Sequence, residues 1–387
     1  MSVVADNVEV PVAVAPSPPI SATPGDERIS VASQWQLMWW RFRRHKVAMA
    51  AAVVIALFYV VVVFADFLAY ADPFASDSQK TLLPPQQVHL FDDGAFRPFV
   101  HPVIGVRDFT TFQRVYKEDT SRKMYLQLLA RGNEYRLFGL IPANAHLIGL
   151  QGNPVEGNLF ILGADLQGRD LWSRLVFSTQ TSLTIGLVGV ALSLFLGVLL
   201  GGISGYYGGI ADTVIQRVIE VLWSIPAIPL WMGLAAAMPR DWSVIQVYLA
   251  ITVILSLVGW MRLARVVRGR FLSLRNEDFV KAAELAGAST PRVIFVHMVP
   301  LFLSHIIAAT TLALPLMIIS ETALSFLGLG LRPPAMSWGV LLQQAQNIQT
   351  VALSPWLMIA AVPVTIVILA FNFLGDGLRD AADPYGV

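Results

Sequence analysis

Few residues in this chain have the types and spacing that solution chemistry requires. Its 387 residues include no cysteine, which removes thiolate nucleophiles, disulfides and thiolate metal sites. His89, His101 and His146 lack the short spacing of a metal-ligand set. His297 and His305 fall in an apolar stretch, where a single histidine is ordinarily satisfied by a hydrogen bond to a neighbouring helix. Arg217 and Glu220 share one helix face and neutralise each other at a membrane edge, with a proton relay as the alternative. The run Gly201-Gly202-Ile203-Ser204-Gly205-Tyr206-Tyr207-Gly208-Gly209 is as glycine-rich as a phosphate loop, but no Gly-Lys-Ser/Thr follows it, and Gly-Lys occurs nowhere. The chain therefore holds no Walker-type ATP site, and no catalytic, cofactor or metal residue is assigned.

What remains is mechanical, and the elements that would carry it are membrane spans. The chain is 55% hydrophobic and 14% charged, with a mean hydropathy of +0.61, the composition of a polytopic membrane protein. A net charge of +1 excludes a nucleic-acid partner, because the basic residues follow membrane topology and form no single patch. Apolar stretches predict six transmembrane helices at about 47–67, 182–203, 214–236, 244–261, 293–320 and 355–374. Prolines 226 and 229 predict a kink in the third, and Pro300 and Pro315 predict breaks in the fifth. Ser193, Gly197, Gly201 and Gly205, four apart, make a strip of small residues suited to close helix packing.

The fold class is thus all-α polytopic membrane protein, with a small, mainly β extracytoplasmic insert between the first two spans. In the insert, Asp93-Gly94 between 88–91 and 95–100 signals a hairpin, and 124–129, 131–134 and 135–140 suggest another. Residues 1–34 read as a disordered cytoplasmic tail without the charged front and apolar middle of a signal peptide. Residues 35–66 combine the first span with an interfacial anchor, in which Trp35, Trp39 and Trp40 interleave with Arg41, Arg43, Arg44 and Lys46. Residues 67–172 form the insert and a lead-in segment, and 173–387 the remaining transmembrane core. Arg262, Arg265, Arg268, Arg270, Arg275, Lys281 and Arg292 crowd the connection 262–292, whereas the short connections on the other side carry only Arg240 and Arg332. The positive-inside rule then puts 262–292 and both termini in the cytoplasm.

Within that connection, residues 276–300 read as two capped helices. Phe279, Ala282, Ala283 and Ala286 form one small apolar stripe, Asn276 suits the start, and Gly287 suits a left-handed stop. Thr290 followed by Pro291 opens the second helix. The first is too short to cross a bilayer, so it lies on the membrane surface or in a partner's groove.

This stretch resembles the cytoplasmic loop of bacterial ABC-importer permeases, patterned Glu-Ala-Ala, three residues, Gly, nine residues, Ile, one residue, Leu-Pro. Ala282, Ala283, Gly287 and Pro300 are in register, while Lys281, His297 and Val299 replace the Glu, Ile and Leu. Asp165, Gly168, Arg169, Asp170, Ser173 and Arg174 match the Leu-Gly-Thr-Asp-x-x-Gly-Arg-Asp-x-x-Ser-Arg segment of the dipeptide/oligopeptide branch, with Ala164 in place of Thr. Glu321, Ser325, Phe326, Gly328 and Gly330, then Ser337, Trp338 and Gly339, resemble that branch's Glu-x-Ala-Leu-Ser-Phe-Leu-Gly-Leu-Gly and Pro-x-x-Ser-Trp-Gly segments. Apolar residues mixed with glycine suggest that 321–330 is non-helical. The end of the chain resembles the branch's terminal Gly-Asp-x-Leu-Arg-Asp-x-x-Asp-Pro.

The resemblance implies a C-type permease subunit of a binding-protein-dependent importer for di- and oligopeptides, or for oligosaccharides, opine-like compounds or nickel. It implies that Phe279, Ala282, Ala283, Glu284, Gly287 and Pro300 couple to the ATPase. It further implies a second homologous permease, two ATP-binding subunits that hold ATP and Mg, a solute-binding protein, and residence in the bacterial inner membrane. An ion-coupled secondary transporter or channel would need charged groups near the membrane midplane, and nearly all charges here sit at span edges. A membrane scaffold is the third class.

Overall fold

The computed structural model describes residues 34–107, 109, 114–152, 159–239 and 241–382. The tail read at 1–34 falls almost wholly outside them, as does Arg240. The chain opens with helix α1 (Gln34–Arg44), and α2 (Lys46–Val63) follows at once, its first turn capped by the His45 ring, which accepts from Ala48 N–H at 3.1 Å. A single turn, α3 (Ala65–Leu68), then leads into the insert.

The insert is antiparallel. Strands β1 (Val88–Asp92), β2 (Ala95–Val100), β5 (Met124–Leu137) and β6 (Ile141–Leu150) form one sheet in the order β1-β2-β5-β6. Strands β3 (Val103–Arg107) and β4 (Arg114–Glu118) pair separately. The first hairpin turns as expected at Asp93 and Gly94, with φ of 47° and 83°. The second does not turn where its sequence suggested. Residues 131–134 stay inside β5, whose register shifts there, and the reversal comes at Phe138 and Gly139. Gly132 looked like a turn residue but serves packing, because a Cβ there would meet the His146 ring at 2.5 Å.

Among the described residues five helices are long and apolar enough to cross a membrane, and a sixth crossing is reached if one bent pair counts as a single span; several differ in shape from expectation. Helix α4 (Leu171–Tyr207) has 37 residues, starting well before the expected 182. At 1.5 Å per residue it is about 55 Å long, well beyond a hydrocarbon core of about 30 Å. The third span is broken outright: α5 (Gly209–Ser224) and α6 (Ala227–Ala236) meet at 89°. Pro226 donates no N–H and forces Ile225 into an extended conformation (φ −93°, ψ 126°), so the helix stops instead of bending. Helix α7 (Val244–Leu274) runs 31 residues, far past the expected end at 261. In the fifth span the break near Pro300 takes the form of a π segment (Val293–Met298) and a 3-10 turn (Val299–Phe302) before α10 (Leu303–Phe326). Pro315 lies inside α10 and does not break it. The sixth crossing is a 3-10 turn (Pro355–Ala360) continuing into α13 (Ala361–Ala382).

Contacts at the helix ends give the bundle two distinct poles. Trp172 Nε1 donates to Leu68 O at 2.9 Å, and Gln180 Nε2 to Val62 O at 3.1 Å, so α2 ends where α4 begins, beside the insert. Phe42, Ala48 and Ala381 cluster at the opposite pole, which brings α1 and the end of α13 together. The core between the poles is organised by α4. Along it, Ser193 donates to Ser256 O at 3.3 Å, and Gly197, Gly201 and Gly205 lie against Leu263, Ala264 and Phe271 of α7.

Gly201→Ala would drive a Cβ to 2.5 Å from the Ala264 carbonyl oxygen, a backbone atom that cannot yield. The expected cost is about 1–3 kcal/mol of overpacking. At neighbouring Gly202 a Cβ meets only the Phe271 ring, at 3.6 Å. Gly202→Ala should therefore be neutral or stabilising, by about 0.5–1 kcal/mol. Thermal melts of the two variants in detergent check the contrast, and equal melting points would contradict it.

Candidate functional site

The short helix of the 276–300 region is α8 (Asp278–Leu285). Its N-cap is Glu277, one residue after the expected Asn276, and neither that cap nor Ser289 before Thr290 makes a side-chain capping bond. Gly287 has φ +81°, the left-handed stop its position required. The apolar stripe faces differently from a core stripe. Val280 is the residue driven inward, into a cluster with Val267, Phe271, Val293, Met298 and Phe302, with Ala283 beside it. Phe279, Ala282 and Ala286 stay exposed, Phe279 at 39% and the neighbouring Leu285 at 89%. The spacing of Val280 to Ala283 carried that signal but is only one helical turn long.

Two polar contacts fix this pole. Tyr206 OH, at the end of α4, donates to Glu284 Oε1 at 2.8 Å, which ties α8 to the longest helix of the bundle. Arg268 of α7 clamps Asp212 of α5 through two bonds of 2.6 Å, and Ser204 Oγ donates to the same carboxylate. Arg217 and Glu220 pair at 2.8 Å on the exposed face of α5. Pro300 is exposed within the 3-10 turn, and the side chain of His305 lies outside the described residues.

The opposite pole holds a buried ionic knot built from the segment ahead of α4. Asp165, Arg169, Asp170, Ser173 and Arg174 are all nearly or wholly buried. Asp165 Oδ2 accepts from Arg169 Nε at 2.8 Å, pairs with Arg169 Nη2 at 2.7 Å and lies 3.3 Å from Arg174 Nε. Arg174 Nη1 also donates to Pro73 O at 3.2 Å. Asp170 caps α4 by accepting from Ser173 N–H at 2.7 Å and takes a second bond from Tyr70 OH at 2.8 Å. Gly168 (φ +73°) sits so close to the Asp77 carbonyl that a Cβ would collide with it. The returning chain is stitched to the outgoing one: Ala164 N–H donates to Leu83 O, and Phe160 N–H to Gln86 Oε1.

A second buried hub lies deeper. Glu321 accepts from Ser182 Oγ at 3.1 Å and Ser325 Oγ at 2.8 Å. Ser182 Oγ in turn accepts from Trp338 N–H at 3.1 Å, and Trp338 Nε1 donates to Thr179 Oγ1 at 3.2 Å. Trp338 opens α11 (Trp338–Gln343) and is fully buried. The non-helical stretch expected at 321–330 begins later, because α10 continues through Phe326 and leaves the chain irregular only from Leu327. The helical repeat is what brings Glu321 and Ser325 onto one face. Phe326 is partly exposed and belongs to neither hub, whereas Gly328 (φ +75°) and Gly330 turn the chain back so that Leu331 N–H reaches Ser325 Oγ at 3.0 Å. Gln344 Nε2 to Asp165 Oδ2 (3.3 Å) and Trp356 Nε1 to Ala164 O (3.1 Å) join the two hubs. Both hubs pair their charges with neighbours, although Arg174 Nη2 is buried without a hydrogen-bond partner among the described residues, and their chemistry is positional.

Burial pushes the Asp170 carboxyl up to about 6, against the bonds from Ser173 and Tyr70 that favour its charge. Burial also acts to raise Asp165, but the bonds and charge of Arg169 with the charge of Arg174 outweigh it and hold that group below the usual range. The signs are opposite. Asp170's contribution to stability is complete below the ordinary carboxylate range and is lost as pH rises through about 6. Asp165's is present above that range and lost only below it. For Asp170 the loss amounts to at most about 3 kcal/mol. Melting temperatures of the wild type should thus fall more steeply between about pH 4 and 6 than those of Asp170→Asn. Parallel curves would show that Asp170 does not titrate there.

Residues 197–385 match the family model described as "Binding-protein-dependent transport system inner membrane component". Residues 33–85 match the "N-terminal TM domain of oligopeptide transport permease C". The oligopeptide transport system permease protein OppC of Bacillus subtilis is 36% identical over 57% of this chain and 70% of its own length. The dipeptide transport system permease protein DppC of the same organism is 37% identical over 57% of this chain and 68% of its own. Among solved structures, a chain of the MetNI methionine ABC transporter in inward-facing conformations aligns at a TM-score of 0.42 and 18% identity, over 54% of this chain and 95% of that one. With both family models in place and this identity maintained across two thirds of its relatives' length, the chain belongs to the inner-membrane permeases of binding-protein-dependent transport systems, in the branch of the oligopeptide and dipeptide C subunits.

Proposed function

We propose that the chain is one half of the passage of an ATP-driven peptide importer, moved through α8 by ATPase subunits that it does not itself contain. The observation that carries this is the setting of α8. One side of it is anchored to α4 through Tyr206 and Glu284 and to the α7–α10 core through Val280. The other side offers Phe279, Ala282 and Leu285 outward, an apolar surface with no covering element among the described residues. A push on α8 therefore reaches two long helices directly. Alternating access in this reading is a rigid shift of α4 and α7 together, because their backbones are in contact.

The pole of α8 is cytoplasmic. It carries Arg262, Arg265, Arg268, Arg270, Arg275, Lys281 and Arg292, and the same pole gathers α1 with its arginines and the end of α13. The insert then faces outward, where a solute-binding protein delivers cargo. The names of the relatives make di- and oligopeptides the expected cargo. A second, homologous permease completes the passage, since six crossings enclose little space for a peptide. ATP and Mg belong to the two ATP-binding partners, and the site of action is the bacterial inner membrane.

Gly287→Asp tests the coupling. A residue with a Cβ in this left-handed position costs about 1–2 kcal/mol, which the fold should survive because nothing lies within 4 Å of the added atom. The variant is expected to keep its melting transition yet lose co-purification of the ATPase subunits and ATP-dependent uptake of labelled peptide into proteoliposomes. Retained association would remove α8 from the docking role. Uptake by the wild-type assembly without nucleotide would favour an ion-coupled transporter instead.

A further inference from the structure

Along α2 the exposed apolar residues form a stripe: Val53, Leu57, Val60 and Phe64, spaced four, three and four. With 18 residues, α2 is about 27 Å long and close to the hydrocarbon thickness, so this stripe faces lipid and Phe64 marks the level of one bilayer surface. The stripe does not end there. The Phe64 ring lies edge-on to the Phe138 ring, centroids 6.0 Å apart. Phe138 occupies the tip of the β5–β6 hairpin, together with Leu140 and Ile141, and the three are 55%, 81% and 56% exposed. Both strands of the hairpin pack on α3, which holds the hairpin beside the end of α2.

The turn chemistry points the same way. The β1–β2 and β5–β6 hairpins each reverse through two residues of positive φ, a conformation that favours Asn, Asp and Gly. The β1–β2 turn uses Asp93-Gly94. The β5–β6 turn uses Phe138-Gly139, which places a bulky side chain at φ 55° where a polar one would be less strained. A large ring is costly there in water and is favoured where its body can leave water. Phe91 and Phe96 are also exposed, but they cover each other edge to face at 5.7 Å and lie off this stripe.

We propose that the tip of the β5–β6 hairpin is a membrane anchor: Phe138, Leu140 and Ile141 insert into the interfacial layer of the bilayer beside the end of α2. The insert is thereby fixed at two places, by its stitched strands at the head of α4 and by lipid beside α2. It is held as a rigid platform and cannot swing as a tethered domain. The occupant is lipid because the patch continues the lipid-facing stripe of a span without a polar gap.

The absence of cysteine makes the test direct. Leu140→Cys, labelled with bimane, is placed in the full chain in nanodiscs, both alone and with its partner subunits. Lipids carrying a nitroxide near the headgroup should quench the probe strongly. Iodide should quench it several-fold less than a probe at Thr120→Cys, an exposed turn position outside this hairpin. Ile141→Cys serves as a second reporter and should behave the same way. Iodide quenching equal to that at Thr120 overturns the proposal, and so does protection from both quenchers, which would mean that another protein covers the tip. Because the proposal needs only that α2 spans the bilayer, its failure would leave the transport reading intact.

Discussion

Lipid tails are as apolar as leucine, so two helices in a bilayer gain nothing from hydrophobic contrast and must associate through close packing and hydrogen bonds. Contact between α4 and α7 meets that demand. Three glycines along α4 let its backbone reach Leu263, Ala264 and Phe271, and the Ser193–Ser256 bond closes the insert-side end of the seam. Much of the fold is referred to this seam. The ionic knot caps one end of α4, Tyr206 at the other holds α8, and the Glu321 hub attaches α10 and α11 midway.

The buried charges are retained where partners are dense. Asp165, Asp170, Arg169 and Arg174 are charges taken almost wholly out of solvent, a costly arrangement unless they are paired. Here two neighbours come from far along the chain, Pro73 O on Arg174 and Gln344 on Asp165, while Trp356 bonds Ala164 O beside it, so the knot closes only when the outgoing segment, the head of α4 and the segment after α10 have all arrived. That makes it a device for specifying assembly more than for adding stability. Its position at the junction of insert and bundle gives the insert a firm base from which the β5–β6 hairpin extends towards α2.

Local chemistry was readable wherever a residue's role depends on its near neighbours. Asp93-Gly94 turned as written, Gly287 stopped α8, and the arginine-rich connection gathered at one pole. Reading failed where a distant group decides. Gly132 and Asn133 have turn composition, but the His146 ring claims the space above Gly132 and keeps the strand going. The Glu321–Phe326 stretch looked non-helical because of the glycines that follow, yet Ser182 on another helix rewards a helical Glu321 and Ser325. Pro226 and Pro315 are alike in sequence, yet one breaks its span by 89° and the other leaves its helix continuous.

Composition and charge asymmetry by themselves determined that this is a polytopic membrane protein with an arginine-rich connection on one side, because those properties are summed along the chain, and the resemblance of its motifs pointed to a permease. Which way α8 presents its stripe, how far α4 and α7 extend beyond the bilayer, and where a proline breaks a helix were decided only in the folded molecule. The facing of α8 depends on contacts between residues far apart in the chain, Tyr206 with Glu284 and Val280 with Val267 and Val293, and no local window of sequence contains both partners.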